Sequence, residues 1–318
     1  MNALRNAARI ALAECLGIQP QETLLILHDT PMAEMADVFF EVGRDLAREV
    51  VSMGYAPREL NGQEPPAPVP ATMATVDVVL AVTSLSITHT AARRAANAAG
   101  ARVATMPGIT EDCLIRTMNA DYHAIAARTE RVRDRLTAAR LAHVTTPAGT
   151  DVRLPIAGVT AIASTGLILS AGQFGNLPSG EAYMHPEEGR SEGVIVVDGS
   201  LSGIGTLSEP IRITVENGMA VAVEGGSQAE QFSAQLDKAG PAARNVAELG
   251  VGTNDKAIIT GRILEDEKIL GTVHIAFGNN ASMGGTVTIP FHVDGILMHP
   301  TLTLDGEAVL ERGQPLFT

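Results

Sequence analysis

Two imidazoles and a carboxylate, His274, His292 and Asp294, stand among strand-forming residues and glycines between Ile263 and Pro300. His292 and Asp294 are two positions apart in Val287-Thr-Ile-Pro-Phe-His-Val-Asp, and an extended backbone sends such a pair to one face. That is chelating geometry. His274 lies in a second strand-like segment, Thr272-Val-His-Ile-Ala-Phe, and the turn-rich Gly278-Asn-Asn-Ala-Ser-Met-Gly-Gly that follows can return the chain beside it. Three ligands can then converge from neighbouring strands. Neutral imidazole with carboxylate suits zinc, iron, manganese or cobalt better than calcium or magnesium, which take mostly oxygen. The plainer alternative is a hydrogen-bonded surface pair, or a histidine oriented by its neighbour.

The elements that must position these residues change character near residue 140. Before it, helix and apolar strand alternate: a helix from Ala3 to Leu16, a strand at Leu24-Leu-Ile-Leu-His, a helix over Ala33 to Met53, a strand in Val76-Asp-Val-Val-Leu-Ala-Val. A helix from Thr90 to Ala99, closed by Gly100, and a strand at Ala101-Arg-Val-Ala-Thr-Met continue the series. This is the rhythm of a parallel α/β domain. Pro65 to Pro70 reads as a stiff extended loop, and a charged helix from Asp121 to Leu141 leads out of the domain. After residue 142 strands and turns dominate, at His143-Val-Thr-Thr, Asp151-Val-Arg-Leu, Val194-Ile-Val-Val, Ile211-Arg-Ile-Thr-Val, Met219-Ala-Val-Ala-Val and Lys256-Ala-Ile-Ile-Thr. One helix, Ser227 to Ala239, interrupts them, and Glu216-Asn-Gly reads as a tight hairpin turn. The fold class expected is therefore α/β: a parallel α/β scaffold domain over 1–141, then a β-rich α+β metal-binding domain over 142–318.

Composition limits the functions available. The formal charge of −13 opposes a nucleic-acid partner, since phosphate neutralisation needs clustered Lys and Arg. Trp is absent and aromatics are only 3%, which leaves little for stacking on bases or sugars. No apolar run has the length to span a bilayer, and Met1 to Gly17, with Arg5, Arg9 and Glu14 at helical spacing, reads as an amphipathic helix rather than a signal sequence. A cytoplasmic protein without nucleic-acid or membrane partners is expected. Cys15 and Cys113 lie among apolar residues and read as buried, inert thiols. Nucleotide binding has no support either: Asp29-Thr-Pro-Met after the first strand lacks phosphate-wrapping glycines, and no Walker lysine is present.

Glycine and carboxylate punctuation in the second half adds two acids. Asn176-Leu-Pro-Ser-Gly presents Glu181 after a turn, and Ala247-Glu-Leu-Gly-Val-Gly-Thr-Asn presents Glu248 before a glycine-rich loop. In order, Asn176-Leu-Pro-Ser-Gly-Glu181, Glu248-Leu-Gly-Val-Gly-Thr-Asn, Gly271-Thr-Val-His274-Ile-Ala-Phe-Gly and His292-Val-Asp294 resemble the motifs of the aminopeptidase T family of metallo-aminopeptidases, across most of the chain. The resemblance implies five metal ligands, Glu181, Glu248, His274, His292 and Asp294, with Glu248 bridging two divalent ions of zinc, cobalt or manganese. It also implies an aminopeptidase-type hydrolase, a metalloprotease that releases N-terminal residues from a peptide or related amide through a metal-activated water. Glu267, in Leu264-Glu-Asp-Glu-Lys, is the candidate proton shuttle or a group orienting His274, with a solvated charge cluster as the alternative. Tyr183 and His185 are candidates to line the substrate pocket, and a homodimer with the site in an interdomain cleft is expected.

One departure weakens the hydrolase. The family carries a tyrosine a few residues beyond the motif's histidine, and here that loop reads Gly278-Asn-Asn-Ala-Ser-Met-Gly-Gly. The resemblance extends to the 2,5-dihydroxypyridine dioxygenases, which share the scaffold and hold one Fe(II) on two histidines and a carboxylate. There the third ligand is a histidine near the place of Glu248, so the glutamate favours the carboxylate-rich hydrolase. A catalytically silent member of the same scaffold is the third reading.

Overall fold

The structure is a computed structural model, and it describes residues 2–317. Two compact units share the chain: Met1–Ala124 with Gly166–Ser179, and Ile125–Thr165 with Gly180–Thr318.

In the first unit the alternating pattern builds a five-stranded, wholly parallel sheet. Its order is Glu49–Tyr55, Thr23–Asp29, Val78–Val82, Arg102–Thr105, Phe174–Asn176. Leu24 to Leu27 and Val78 to Val82 are buried without interruption, as central strands covered on both faces must be. Val69, Met73, Ala92 and Ala96 pack on Leu25, Leu27, Val79 and Val103. The helix Ala91–Ala98 starts where the Thr90 side chain accepts a hydrogen bond from Arg93 N–H, an N-cap that satisfies one free donor.

Three expectations are corrected here. The helix from Ala33 stops at Gly43 rather than Met53, and Glu49–Tyr55 is the sheet's edge strand. Gly43 sits where a Cβ would lie 2.7 Å from Leu24 Cδ2, and the β-branched Val50 and Val51 beyond it favour extension. The proline-rich run is not wholly extended, because Pro68–Met73 is a helix with proline in its first turn, where the missing N–H has no partner to lose. Helix Ala3–Arg9 passes into a π-helical turn, Ile10–Cys15.

The second unit is β-rich. An eight-stranded and a seven-stranded sheet, both antiparallel, contribute to one apolar cluster with Phe232 and Leu236 of the helix Ser227–Ala239. Asn217 and Gly218 both take positive φ, 49° and 72°, as a two-residue hairpin turn demands. The helix expected from Asp121 to Leu141 spans Tyr122–Ala138. Lys256 to Thr260, expected as a strand, is a loop. Its backbone is held by acids: Ile258 N–H donates to Glu265 Oε1 at 2.9 Å and Thr260 N–H to Asp266 Oδ1 at 2.8 Å. The strand is instead Val246–Gly252, read from sequence as leading into a glycine-rich loop.

Among the described residues no helix is long and apolar enough to cross a membrane.

Candidate metal centre

Four adjacent strands of the seven-stranded sheet carry the chemistry, in the order His292–Leu297, Val273–Gly278, Val246–Gly252, Glu181–Met184. Their register places Glu248 opposite Ala276 and Ala276 opposite Asp294; His274 lies between Gly250 and Ile296, Gly278 faces His292, and Gly252 faces Glu181. Directly paired residues share a face, and alternation keeps the set together, so Glu181, Tyr183, Glu248, His274, His292 and Asp294 all project to one side. The other side carries Ala182, Met184, Leu249, Val251, Val273, Ile275, Phe277, Val293 and Leu297, all in the apolar cluster. A bulge between Val246 and Glu248 sets this pattern, because it brings Glu248 rather than Ala247 opposite Ala276.

Small residues make room on the polar side. A Cβ on Gly250 would lie 1.9 Å from His274 Nε2, so only glycine lets the imidazole cross over that strand.

The side chains form a continuous chain of contacts. Asp294 Oδ1 lies 3.3 Å from His292 Nε2, which lies 3.4 Å from Glu248 Oε2. The other oxygen of Glu248, Oε1, lies 3.2 Å from His274 Nε2, itself 3.4 Å from Glu181 Oε2. Glu248, His292 and Asp294 each offer a ligand atom within 4.8 Å of the others'. His292 Nδ1 is 2.8 Å from the Asn279 carbonyl; a proton donated there leaves Nε2 free to face the cluster, as in many histidine metal ligands. All five expected ligands are thus neighbours.

Of the other expected site residues, Tyr183 lies opposite Gly250, and burial, then the charges of Glu181, Glu248 and Glu267, push its hydroxyl pKa well above the ordinary range. His185 follows just beyond the strand, with Nδ1 2.8 Å from the Pro186 carbonyl. Glu267 is not part of a solvated charge run. Its carboxylate contacts the ammonium of Lys268, which is 1% exposed and lies 2.7 Å from Glu181 Oε1. Lys268 was missed in the sequence, where Glu265-Asp-Glu-Lys has the composition of an exposed turn. Glu265 and Asp266, also buried, are the loop anchors described above.

Four carboxylates, Glu181, Glu248, Glu267 and Asp294, therefore surround one lysine and two imidazoles in a place that is dry except at His292, whose side chain is 34% exposed. Burial works to lower the His274 pKa, but the Glu248 hydrogen bond and the charges of Glu181, Glu248 and Glu267 prevail and raise it to about 9. His292 is raised in the same way, chiefly by Asp294 and Glu248. Burial would raise Glu248, yet its two histidine partners bring it down to about 2. Glu267 goes the other way, pushed up to about 8 first by burial and then by Glu181 and Asp294, with Lys268 opposing. A cluster that needs protons on both imidazoles to balance its carboxylates is suited to exchange those protons for a divalent cation. A vacancy in the cluster agrees: Glu181 Oε2 is buried with no hydrogen-bond partner.

A parallel α/β unit, together with a β-rich unit that presents histidines and carboxylates from adjacent strands, has the build of a metalloenzyme. The chain belongs to the family described as NicX, 2,5-dihydroxypyridine 5,6-dioxygenase, whose model matches residues 5–316. The 2,5-dihydroxypyridine 5,6-dioxygenase of Pseudomonas putida KT2440 is 27% identical over 188 residues, 55% of this chain and 54% of that relative, so the match spans about half of the relative's length. The structure of 2,5-dihydroxypyridine dioxygenase from the same organism superposes with a TM-score of 0.85, at 19% identity over 99% of this chain and 97% of the other. AmpT from Thermus thermophilus superposes with a TM-score of 0.73, also at 19% identity, over 99% of each chain. Both likenesses show the fold.

The expected aminopeptidase-type hydrolase is corrected by the family match: the chain falls with an enzyme family named for ring dioxygenation, and hydrolase, aminopeptidase and metalloprotease do not describe it. The reason is physical. The four ordered motifs are strand segments and turns that build the sheet and its polar face, and that scaffold is common to AmpT and the dioxygenase. They mark the scaffold and leave the reaction open.

Proposed function

We propose that this chain is a metal-dependent, ring-cleaving dioxygenase acting on a dihydroxylated pyridine or a closely similar aromatic diol. The observation that carries the reading, beside the family match, is the fan of donors around Glu248, with His274 on one oxygen and His292 beside Asp294 on the other. Imidazole and carboxylate donors in this number fit Fe(II), and such a set leaves positions for further ligands. Glu248, His292 and Asp294, with His274 beside them, would hold the ion. Bound there, ferrous iron supplies the redox chemistry that couples oxygen to an aromatic ring.

The protein's own groups do the rest. Asn279 fixes the orientation of His292 through its carbonyl, and Gly250 admits His274. Tyr183, against Gly250, and His185, just beyond the same strand, would line the substrate side. Glu267, held near neutrality by burial, is the group able to give or take a proton at working pH. Glu248 adds negative charge beside the imidazoles and so favours a substrate that arrives neutral or cationic at the ring.

The test is oxygen uptake. Protein loaded anaerobically with Fe(II) should consume about one O2 per ring when 2,5-dihydroxypyridine is supplied, as the ring absorbance disappears. Iron-loaded protein that consumes no oxygen with any dihydroxypyridine isomer refutes the reading.

A further inference from the structure

Behind the donor fan lies a buried lysine that the proposed chemistry does not use. Lys268 is 1% exposed, and its ammonium lies 2.7 Å from Glu181 Oε1 and in contact with Glu267 Oε1. It is held from both sides of its backbone: its N–H donates to the Glu265 carbonyl at 2.9 Å, and its carbonyl accepts from Asn254 N–H at 2.8 Å. The next peptide is packed against the strand that pairs with Glu181, since a Cβ on Gly252, the partner of Glu181, would lie 2.1 Å from the Ile269 carbonyl oxygen. The ammonium is a built-in part of the centre and not a surface charge folded inward.

We propose that Lys268 is the resident second cation of this centre: its ammonium engages Glu181 and Glu267 and limits the cluster to one divalent ion, on Glu248, His292 and Asp294. This rests on the metal-dependent reading above.

Two points carry it. Glu181 is shared unequally, at 2.7 Å from Lys268 and 3.4 Å from His274, so its near oxygen already has a cationic partner. A second ion between Glu181 and His274 would sit beside a positive charge on the same carboxylate, with little water to screen the repulsion.

Metal stoichiometry tests this without reference to turnover. Protein freed of metal is reloaded with Zn(II), and separately with Fe(II) under argon, freed of excess, and its bound metal counted by mass spectrometry. One equivalent is expected for the wild type and for Lys268→Arg, which keeps the charge. Lys268→Met, which leaves Glu181 and Glu267 without a counter-charge, should take up a second equivalent, bound at least tenfold more weakly than the first. Two tight equivalents in the wild type would overturn the role of Lys268 and leave the metalloenzyme reading standing. No metal in the wild type would remove that reading, and the inference with it. A single equivalent in a folded Lys268→Met protein, with wild-type affinity, would also overturn it. Should Lys268→Met not fold, anomalous diffraction from zinc-loaded wild-type crystals still decides, with one peak expected and two adjacent peaks contrary.

Discussion

Adding one methyl group at Gly250 should disable the metal centre without touching a ligand. Gly250 is not among the residues with positive φ, so the space at its Cβ position decides the outcome. That space is occupied, because the new carbon would lie 1.9 Å from His274 Nε2, 2.2 Å from Cε1 and 2.6 Å from Cδ2. Ordinary contact begins near 3.4 Å, so the ring must retreat by about 1.5 Å or the strands must part. His274 has nowhere to go in a fully buried position, and any retreat of that size breaks its 3.2 Å contact with Glu248 Oε1. Overpacking of this kind costs about 1–3 kcal/mol of stability. Metal affinity should fall by about 100-fold or more, at or beyond the upper end of what disturbing a ligand's support costs. Calorimetric titration of metal-free Gly250→Ala with Zn(II), together with its melting curve, reads both effects. A double-mutant cycle with His274→Ala isolates the cause, since without the ring the added methyl should be nearly harmless to stability. Wild-type affinity in Gly250→Ala, or additive losses in the double variant, would refute the placement of His274 over that strand.

Metal uptake should release protons. With His274 held near 9 and His292 also raised, metal binding should displace imidazole protons, and affinity should rise with pH between pH 6 and 8 by up to about 100-fold per pH unit if both are ligands. A slope of one proton would remove one histidine from the ligand set, and a flat profile would remove both. The metal-free protein should lose stability over the same titration: a histidine raised from 6.5 to about 9 contributes fully below pH 6.5 and nothing above about 9, a loss of about 3 kcal/mol. Scanning calorimetry at pH 6.5, 8 and 9.5 checks this, and a melting temperature unchanged across that range would contradict it. In the first unit, Arg102→Ala should cost about 3–5 kcal/mol in denaturant unfolding, because Arg102 donates to both oxygens of Glu22, at 2.8 and 2.7 Å, and to the Leu16 carbonyl at 3.0 Å in a nearly dry position. A loss below about 1 kcal/mol would mean that water replaces the pair.

Strands with an uninterrupted apolar run were legible from sequence: Leu24 to Leu27 and Val78 to Val82 have no other stable place than the middle of a sheet. The same holds for His292 and Asp294, whose spacing alone put both on one face. Edge and short elements were not legible. Glu49–Tyr55 follows a helix whose apolar spacing could have continued, and the strand it pairs with, Thr23–Asp29, lies on the far side of that helix in sequence. Val246–Gly252 is a strand although three of its seven residues have little or no side chain, because those gaps admit His274 and the Ile269 carbonyl. Lys268 and Glu267 were hidden for a different reason. A run of four charged residues has the composition of a solvated surface, and nothing local indicates that its charges are neutralised by Glu181, far away in sequence. The reaction was the least legible, since the motifs that place five donors on a sheet face serve more than one chemistry.

The strand Phe174–Asn176 completes the first unit's parallel sheet after the chain has already laid down three strands and most of a helix of the second unit. A nascent chain that has emerged only as far as residue 124 therefore presents the backbone edge of Arg102–Thr105 without its partner. Such an edge can pair with another chain, so expression of residues 1–124 alone should give a more aggregation-prone product than one that restores residues 166–179. The units are interleaved in synthesis order, and an exchange of the first unit between relatives must transplant two segments of chain together.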